Sequence, residues 1–216
     1  MNNTNNIIPS YVKRLGRITS AQRNNLKHLE EYLVNDVSNL SNNYKAITIE
    51  IGFGNGDYTI EYAKHFSDEL VIAAEVYLAG IGSLIGKIKE NELENIFIYD
   101  QDIRVLLNEL PRNSLDKIIM LFPDPWPKAR HYKRRILDNE FLNQVHPKLK
   151  TEGFVLVRTD WKNYADQILE LGQESDHKFI FNNRAKLEKE FITKFHERAI
   201  IEKRQIRTFS FKKLAK

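Results

Sequence analysis

The chain of 216 residues contains no cysteine, which excludes a disulfide framework and any thiolate metal site and fits a cytoplasmic protein. No apolar run approaches the roughly 18 residues needed to span a bilayer, so no membrane role is expected. The Asn-rich start MNNTNNIIPS has no positively charged stretch leading into an apolar one, so it does not read as a secretion signal. Residues 1–10 offer almost nothing to bury and are expected to form a disordered tail. The histidines lack metal-ligand spacing, and Arg130-His131 lies in a cationic run that would repel a metal ion, so no metal is expected. Acids are missing between residues 11 and 27, where Lys13, Arg14, Arg17, Arg23 and Lys27 occur, and the stretch from Arg184 onward is also mainly basic. At a net charge of only +4, such clustering points to nucleic acid more than to a small acidic substrate.

What is present is enough for a proper core: 42% of residues are hydrophobic, and no repeat or long linker divides residues 11–216, which are expected to form one domain with a basic N-terminal arm. Leu26, Leu29, Leu33 and Val37 recur at helical spacing and predict a helix bringing that arm against the domain. Strands are expected at Ala46 to Ile51, Leu70 to Glu75, Ile96 to Tyr99, Leu115 to Phe122 and Phe154 to Arg158, with helices between them, one of these over Tyr77 to Lys89. That alternation implies an α/β fold with a parallel sheet covered on both faces. Apolar runs at Phe179 to Phe181 and Ile206 to Phe211 add two strands without a comfortable crossover helix, giving seven strands with an antiparallel edge.

Two loops carry the chemistry. After the first strand comes Glu50-Ile51-Gly52-Phe53-Gly54-Asn55-Gly56-Asp57, whose alternate glycines allow a tight turn and close backbone approach to a ligand. Its G-x-G-x-G spacing, with an acid just before it, argues against a pyrophosphate and suits a cationic, hydroxyl-bearing ligand. Glu75 follows Glu50 at about the spacing at which an acid reaches ribose hydroxyls in such folds. The second loop is LFPDPWPKARHYKRR, residues 121–135, in which Pro123, Pro125 and Pro127 stiffen the backbone around Asp124 and Trp126 directly ahead of a dense basic run. An acid on a stiff loop at a strand's C-terminal end, facing a polyanion, suits an active-site carboxylate.

This loop, together with IEIGFGNGDY, NIFIYDQD, RTDWKNYA and TKFHERA, resembles the bacterial tRNA (guanine-N7-)-methyltransferase family over nearly the whole chain. The resemblance implies a Rossmann-like class I methyltransferase, with S-adenosylmethionine as cofactor, tRNA as partner and guanine 46 of the variable loop as target. No obligate protein partner is evident. It implies Asp124 as the catalytic residue, with Glu50, Gly52, Gly54, Gly56, Glu75, Asp102 and Asp124 around the cofactor. Asp102 reads equally well as the N-cap of a helix over Arg104 to Leu110, and the resemblance tips it toward the adenine, with Asn95 or Gln101 adding a polar contact. Lys128 is implied as an RNA contact, and Arg130, Lys133, Arg134 and Arg135 are read as phosphate partners. Asp160 is placed to accept the guanine N1 and N2 donors, against a competing role as helix N-cap. Trp126 and Trp161 suit either base stacking or packing.

Thr193, Lys194, Phe195 and His196 complete the implied substrate site, but His196 stands where the family has Glu, and Ala199 where it has Gly. Read as an extended segment, with neighbouring side chains on opposite sides, this run predicts that His196 and not Glu197 takes the acid's place. An exocyclic-amine methyltransferase would carry Asp-Pro-Pro and an aromatic, and Trp126 stands at the second proline. A decayed, non-catalytic RNA-binding domain would have lost Glu50, Glu75 or Asp124, and all three are present.

Overall fold

The structure, a computed structural model, describes residues 9–11, 17–34, 43–175 and 177–215. Lys13, Arg14, Val37 and residues 1–8 of the expected tail lie outside them. Seven strands form one sheet: β1 (Ala46–Ile51), β2 (Glu69–Ala74), β3 (Ile96–Tyr99), β4 (Leu115–Leu121), β5 (Leu149–Thr159), β6 (Phe179–Asn182) and β7 (Arg207–Lys213). Their order is β3-β2-β1-β4-β5-β7-β6, with β1 to β5 parallel and β7 antiparallel to both of its neighbours. Strand order reverses between β1 and β4, the place where an open α/β sheet leaves a crevice at its C-terminal edge.

The central strands read as unbroken apolar runs because both sheet faces are covered. Ile47, Ile49, Leu70, Ile72, Ile118 and Met120 join one core, under α5 (Ile103–Glu109), α6 (Asn139–Val145) and α7 (Lys162–Glu174). The alternate residues Val71, Ala73, Ile119 and Leu121 join the other, under α3 (Asp57–His65) and α4 (Leu78–Glu90).

The helix expected over Leu26 to Val37 is not continuous. α1 (Ser20–Leu26) begins at a Thr19–Gln22 capping box, and α2 (Leu29–Tyr32) is a single turn. Leu33 then forms an isolated parallel bridge with Ile98, and the Val34 N–H donates to the Ile98 carbonyl at 3.0 Å. The unpaired edge of β3 captures the chain there, while Leu26 and Leu29 still pack inward. α1 is fixed to α4 by Asn25 Nδ2 donating to the Gly82 carbonyl and Gln22 Nε2 to Ser83 Oγ, each at 2.9 Å.

β5 is longer than its apolar signal, because the strand runs on through Lys150, Thr151 and Glu152, where the register with β4 shifts and the side chains stay outside the core. β6 and β7 need no crossover, since they pair antiparallel. The connection between them climbs the α3 side of the sheet instead, with Leu187 and Phe191 packed into that core. Lys117 Nζ donates to Glu188 at 2.6 Å and to Glu69 at 2.9 Å, and the Arg158 guanidinium grips Glu190 through two bonds of 2.7 Å. The connection ends in α8 (Lys194–Ile201), capped by Thr193 Oγ1, which accepts from the His196 N–H at 3.2 Å. TKFH is therefore the start of a helix and not an extended segment. Positions 196 and 197 lie about 100° apart around its axis, which removes the opposite-sides argument.

Candidate functional site

A cavity of about 600 Å³, within the roughly 300–1,000 Å³ usual for small-molecule sites, opens at the strand-order reversal. Its floor is the glycine turn. Gly52 and Gly54 have φ of +75° and +61°, a region that disfavours any side chain, and a Cβ added at Gly52 would project into open space. Gly54 is approached closely from behind: a Cβ on Gly80, in the first turn of α4, would stand 2.1 Å from the Gly54 carbonyl oxygen. Gly80 is thus a structural requirement of the site that the sequence reading missed. Gly56 lines neither this cavity nor the smaller one beside it; a Cβ there would meet Leu84 Cδ1 at 2.6 Å, so this glycine serves helix packing. Lys87 ties down the turn, donating to the Asn55 carbonyl at 2.9 Å and pairing with Asp57.

Three carboxylates line the cavity: Glu75, Asp102 and Asp124. Glu75 accepts from the Val76, Tyr77 and Gly54 N–H groups at 2.8, 3.1 and 3.2 Å. Burial raises its pKa, the three backbone donors oppose that shift, and the charge of Asp124 adds to it. Asp102 caps α5 by accepting from the Arg104 N–H at 3.0 Å, and it also lines the cavity. Gln101 also lines the cavity, whereas Asn95 is buried elsewhere, its Nδ2 shared among the Ala63, Phe66 and Glu69 carbonyls. Glu50 faces an adjoining cavity of about 50 Å³, together with Thr193, Lys194 and Phe195. It accepts from Thr59 Oγ1 at 2.6 Å, and burial pushes its pKa up to about 7.

Asp124 is exposed at the cavity mouth, and among the described residues it has no hydrogen-bond or ion-pair partner. The loop carrying it is held by more than proline. Phe122 and Trp126 have positive φ, +53° and +44°, which costs non-glycine residues on the order of 1–3 kcal/mol each. Phe122 is fixed by its N–H to the Arg158 carbonyl at 2.7 Å and by stacking on Phe195 at 6.2 Å. Trp126 Nε1 donates to the Ser10 carbonyl at 3.2 Å, and the Arg134 guanidinium covers its ring at 5.1 Å, so Ser10 of the expected tail lies against the site.

Arg135 is only 1% exposed and cannot meet RNA. Its guanidinium donates to the Pro125 carbonyl at 2.9 Å, Gln167 Oε1 at 2.5 Å and Asn163 Oδ1 at 2.7 Å, and lies over Tyr132 and Tyr164. This arginine is the loop's internal clamp and not a phosphate partner. Lys128, Arg130 and Lys133 remain exposed, and none has a carboxylate partner among the described residues. Slight desolvation and then the surrounding Arg130, Arg134, Lys128 and Lys133 hold the His131 pKa below its ordinary value, the mark of an electropositive rim.

Besides Lys128 on the rim, three expected substrate residues lie outside the lining of the main cavity. Asp160 pairs with Arg204 at 2.9 Å and lines neither cavity. His196 packs edge-on against Phe122 at 6.3 Å, with its Nδ1 buried and without a partner among the described residues. Thr193 caps α8 and reaches only the smaller cavity. Trp161 takes the packing role, partly buried against the core. The sequence reading missed Lys117, Glu188, Arg158 and Glu190. The available signal was a cation inside each of two apolar strands, which demands a buried partner.

A protein-family profile described as "Putative methyltransferase" matches residues 44–209. A tRNA (guanine-N(7)-)-methyltransferase of Nitrosococcus oceani is 40% identical over 169 residues, 74% of this chain and 72% of that one. The chain belongs to the tRNA (guanine-N7-)-methyltransferase family. A bifunctional methyltransferase of Rickettsia conorii is 36% identical over 200 residues, 90% of this chain, but the chain spans only 38% of that longer protein. Among solved structures, the antibiotic-resistance methyltransferase Kmr superposes with a TM-score of 0.59 at 13% identity, covering 84% of this chain and 92% of that one. That likeness bears out the class I methyltransferase fold.

The site's own chemistry fits the cofactor of such enzymes. S-adenosylmethionine combines ribose hydroxyls, a sulfonium and an ammonium, and the cavity offers a side-chain-free glycine floor surrounded by carboxylates.

Proposed function

We propose that the chain methylates guanine at N7 in tRNA, in the variable loop, using S-adenosylmethionine, and that it acts in the cytoplasm as one catalytic domain with a basic arm. The observation that carries this reading is Asp124, a carboxylate without a partner among the described residues, fixed on a braced loop at the mouth of an acid-lined cavity and beside an electropositive rim. Glu75 suits the ribose hydroxyls, because its backbone donors fix both oxygens in place, and Gln101 and Asp102 suit the adenine edge. Bound S-adenosylmethionine supplies the methyl group. Guanine N7 already carries an in-plane lone pair and loses no proton on alkylation, so the chain needs no general base. What helps is a fixed approach geometry and negative potential where the base becomes cationic, and Asp124 provides the second.

Lys128, Arg130, Lys133 and Arg134 form the rim along which phosphates would run. Asp160 is held by Arg204 and lines neither cavity, so we assign it a role in guanine readout only in the RNA-bound state. Mass analysis of nucleosides from tRNA incubated with the protein and S-adenosylmethionine tests the reading. We expect 7-methylguanosine; a methyl group on an exocyclic amine would replace the reaction class, and no methylation of any tRNA would leave an RNA-binding domain.

A further inference from the structure

The charges lining the two cavities are one-sided. Glu75, Asp102 and Asp124 line the larger and Glu50 and Asp57 the smaller, while Lys194 lines both and is the only cation among the described residues lining either. Asp57 is neutralised by Lys87, Asp102 caps a helix, and Glu75 is occupied by backbone donors, whereas Lys194 is exposed and has no partner among the described residues. It sits on the first turn of α8, which rests on the glycine turn: a Cβ at Gly54 would be 4.0 Å from Phe195 Cε2.

S-adenosylmethionine would suit this acid-lined site everywhere except at one group. Its sulfonium and ammonium are cations, but its methionyl carboxylate would be repelled by the surrounding acids unless a positive charge met it. We propose that Lys194 receives the methionyl carboxylate, with Glu50 beside it facing the ammonium. Lys194 is then a cofactor-binding residue, in place of the RNA contact implied by the family resemblance. The assignment rests on the reading that the larger cavity holds S-adenosylmethionine. It also explains the path of the connection between β6 and β7, because Glu188 and Glu190, anchored on Lys117 and Arg158, hold α8 so that this cation stands where the two cavities meet.

Equilibrium titration separates the possibilities, using S-adenosylhomocysteine, decarboxylated S-adenosylmethionine and methylthioadenosine, which lacks the amino-acid end. Lys194→Met should weaken S-adenosylhomocysteine on the order of 10-fold, the scale of one charge-assisted hydrogen bond, and leave methylthioadenosine unchanged. It should also barely affect the decarboxylated ligand, and Lys194→Arg should recover most of the loss. Unchanged S-adenosylhomocysteine affinity overturns the assignment, as does an equal loss for methylthioadenosine. A loss confined to tRNA affinity returns Lys194 to the RNA. If the wild-type protein binds neither S-adenosylhomocysteine nor methylthioadenosine, the cofactor reading of the cavity fails before Lys194 is in question.

Discussion

The cavity has two walls built on opposite principles. The wall from β1 and β2 is completed by the backbone: the glycine turn is braced by Gly80, Glu75 is held by three N–H groups and Asp102 by a helix cap. The wall from the loop after β4 and the start of α8 presents Asp124 and Lys194 with no partners among the described residues, and its rigidity comes from behind, from buried cations. Charged residues therefore divide into those that hold and those that act. On the first wall one carboxylate does both, because backbone donors leave it lone pairs to spare. On the second the two roles are separated, and Asp124 stays free because Arg135 and Arg158 support the backbone around it.

The largest expected effect breaks the second wall without touching its acting groups. Arg135→Met leaves the Pro125, Gln167 and Asn163 oxygens without their donor in a buried site, and should cost on the order of 3–5 kcal/mol of folding stability by chemical denaturation. Methyl transfer should fall with it, since two residues of the loop adopt disfavoured φ angles that need outside support. A variant of unchanged stability would mean that the prolines suffice.

Asp124→Asn keeps the shape and removes the charge. Single-turnover methyl transfer at saturating tRNA should drop on the order of 10²–10³-fold, the scale of losing one aligned electrostatic contact to a developing charge, with tRNA affinity little changed. A loss wholly in tRNA affinity would make Asp124 a binding residue.

Most of the sheet was legible because β1 and β3 announce themselves as apolar runs between turn residues, and the glycine turn and the proline loop mark the two strand ends that matter. Arg135 was misread for a physical reason. In a run of five cations within eight residues, sequence cannot say which side chain turns inward, since that depends on Gln167, Asn163 and Tyr164 of α7, about thirty residues away. The start of α8 was misread because its Thr193 cap and the short helix after it carry the same residues that an extended binding segment would. The roles of Glu188 and Glu190 depend on Lys117 and Arg158, likewise distant in sequence.

The first wall can be probed through Glu50, whose pKa burial raises from 4.5 to about 7. An acid with a raised folded-state pKa costs the fold nothing below its unfolded value; the cost accrues as pH rises toward the folded one, because the unfolded chain ionises there while the buried group stays protonated. Glu50→Gln should accordingly match the wild type near pH 4.5 and exceed it by up to about 3 kcal/mol above pH 7, with the gain developing between those values. The same variant should bind S-adenosylmethionine more weakly at pH 8, so that stability and cofactor affinity move in opposite directions. Parallel movement would make Glu50 purely structural.

The smallest effect separates acting cations from holding ones within a single run. Lys133 and Arg130 are exposed, and removing one phosphate partner should lower the magnitude of the slope of log affinity against log salt by roughly 0.7 to 0.9, the share of one released counterion. Lys133→Gln and Arg130→Gln should therefore each make tRNA binding less salt-sensitive while leaving the melting temperature and S-adenosylhomocysteine affinity alone. Arg135→Met, studied under conditions where it stays folded, should do the reverse, lowering stability at an unchanged slope, because a guanidinium 1% exposed releases no counterion from RNA. Arg134 is the intermediate case: its guanidinium lies over Trp126 and donates to the Pro9 carbonyl at 3.5 Å, so Arg134→Gln should flatten the slope and also slow methyl transfer by loosening Trp126. A slope change for Arg135→Met as large as that for Lys133→Gln would mean that the loop opens on tRNA and exposes its clamp, and the division between holding and acting cations would fail at this residue.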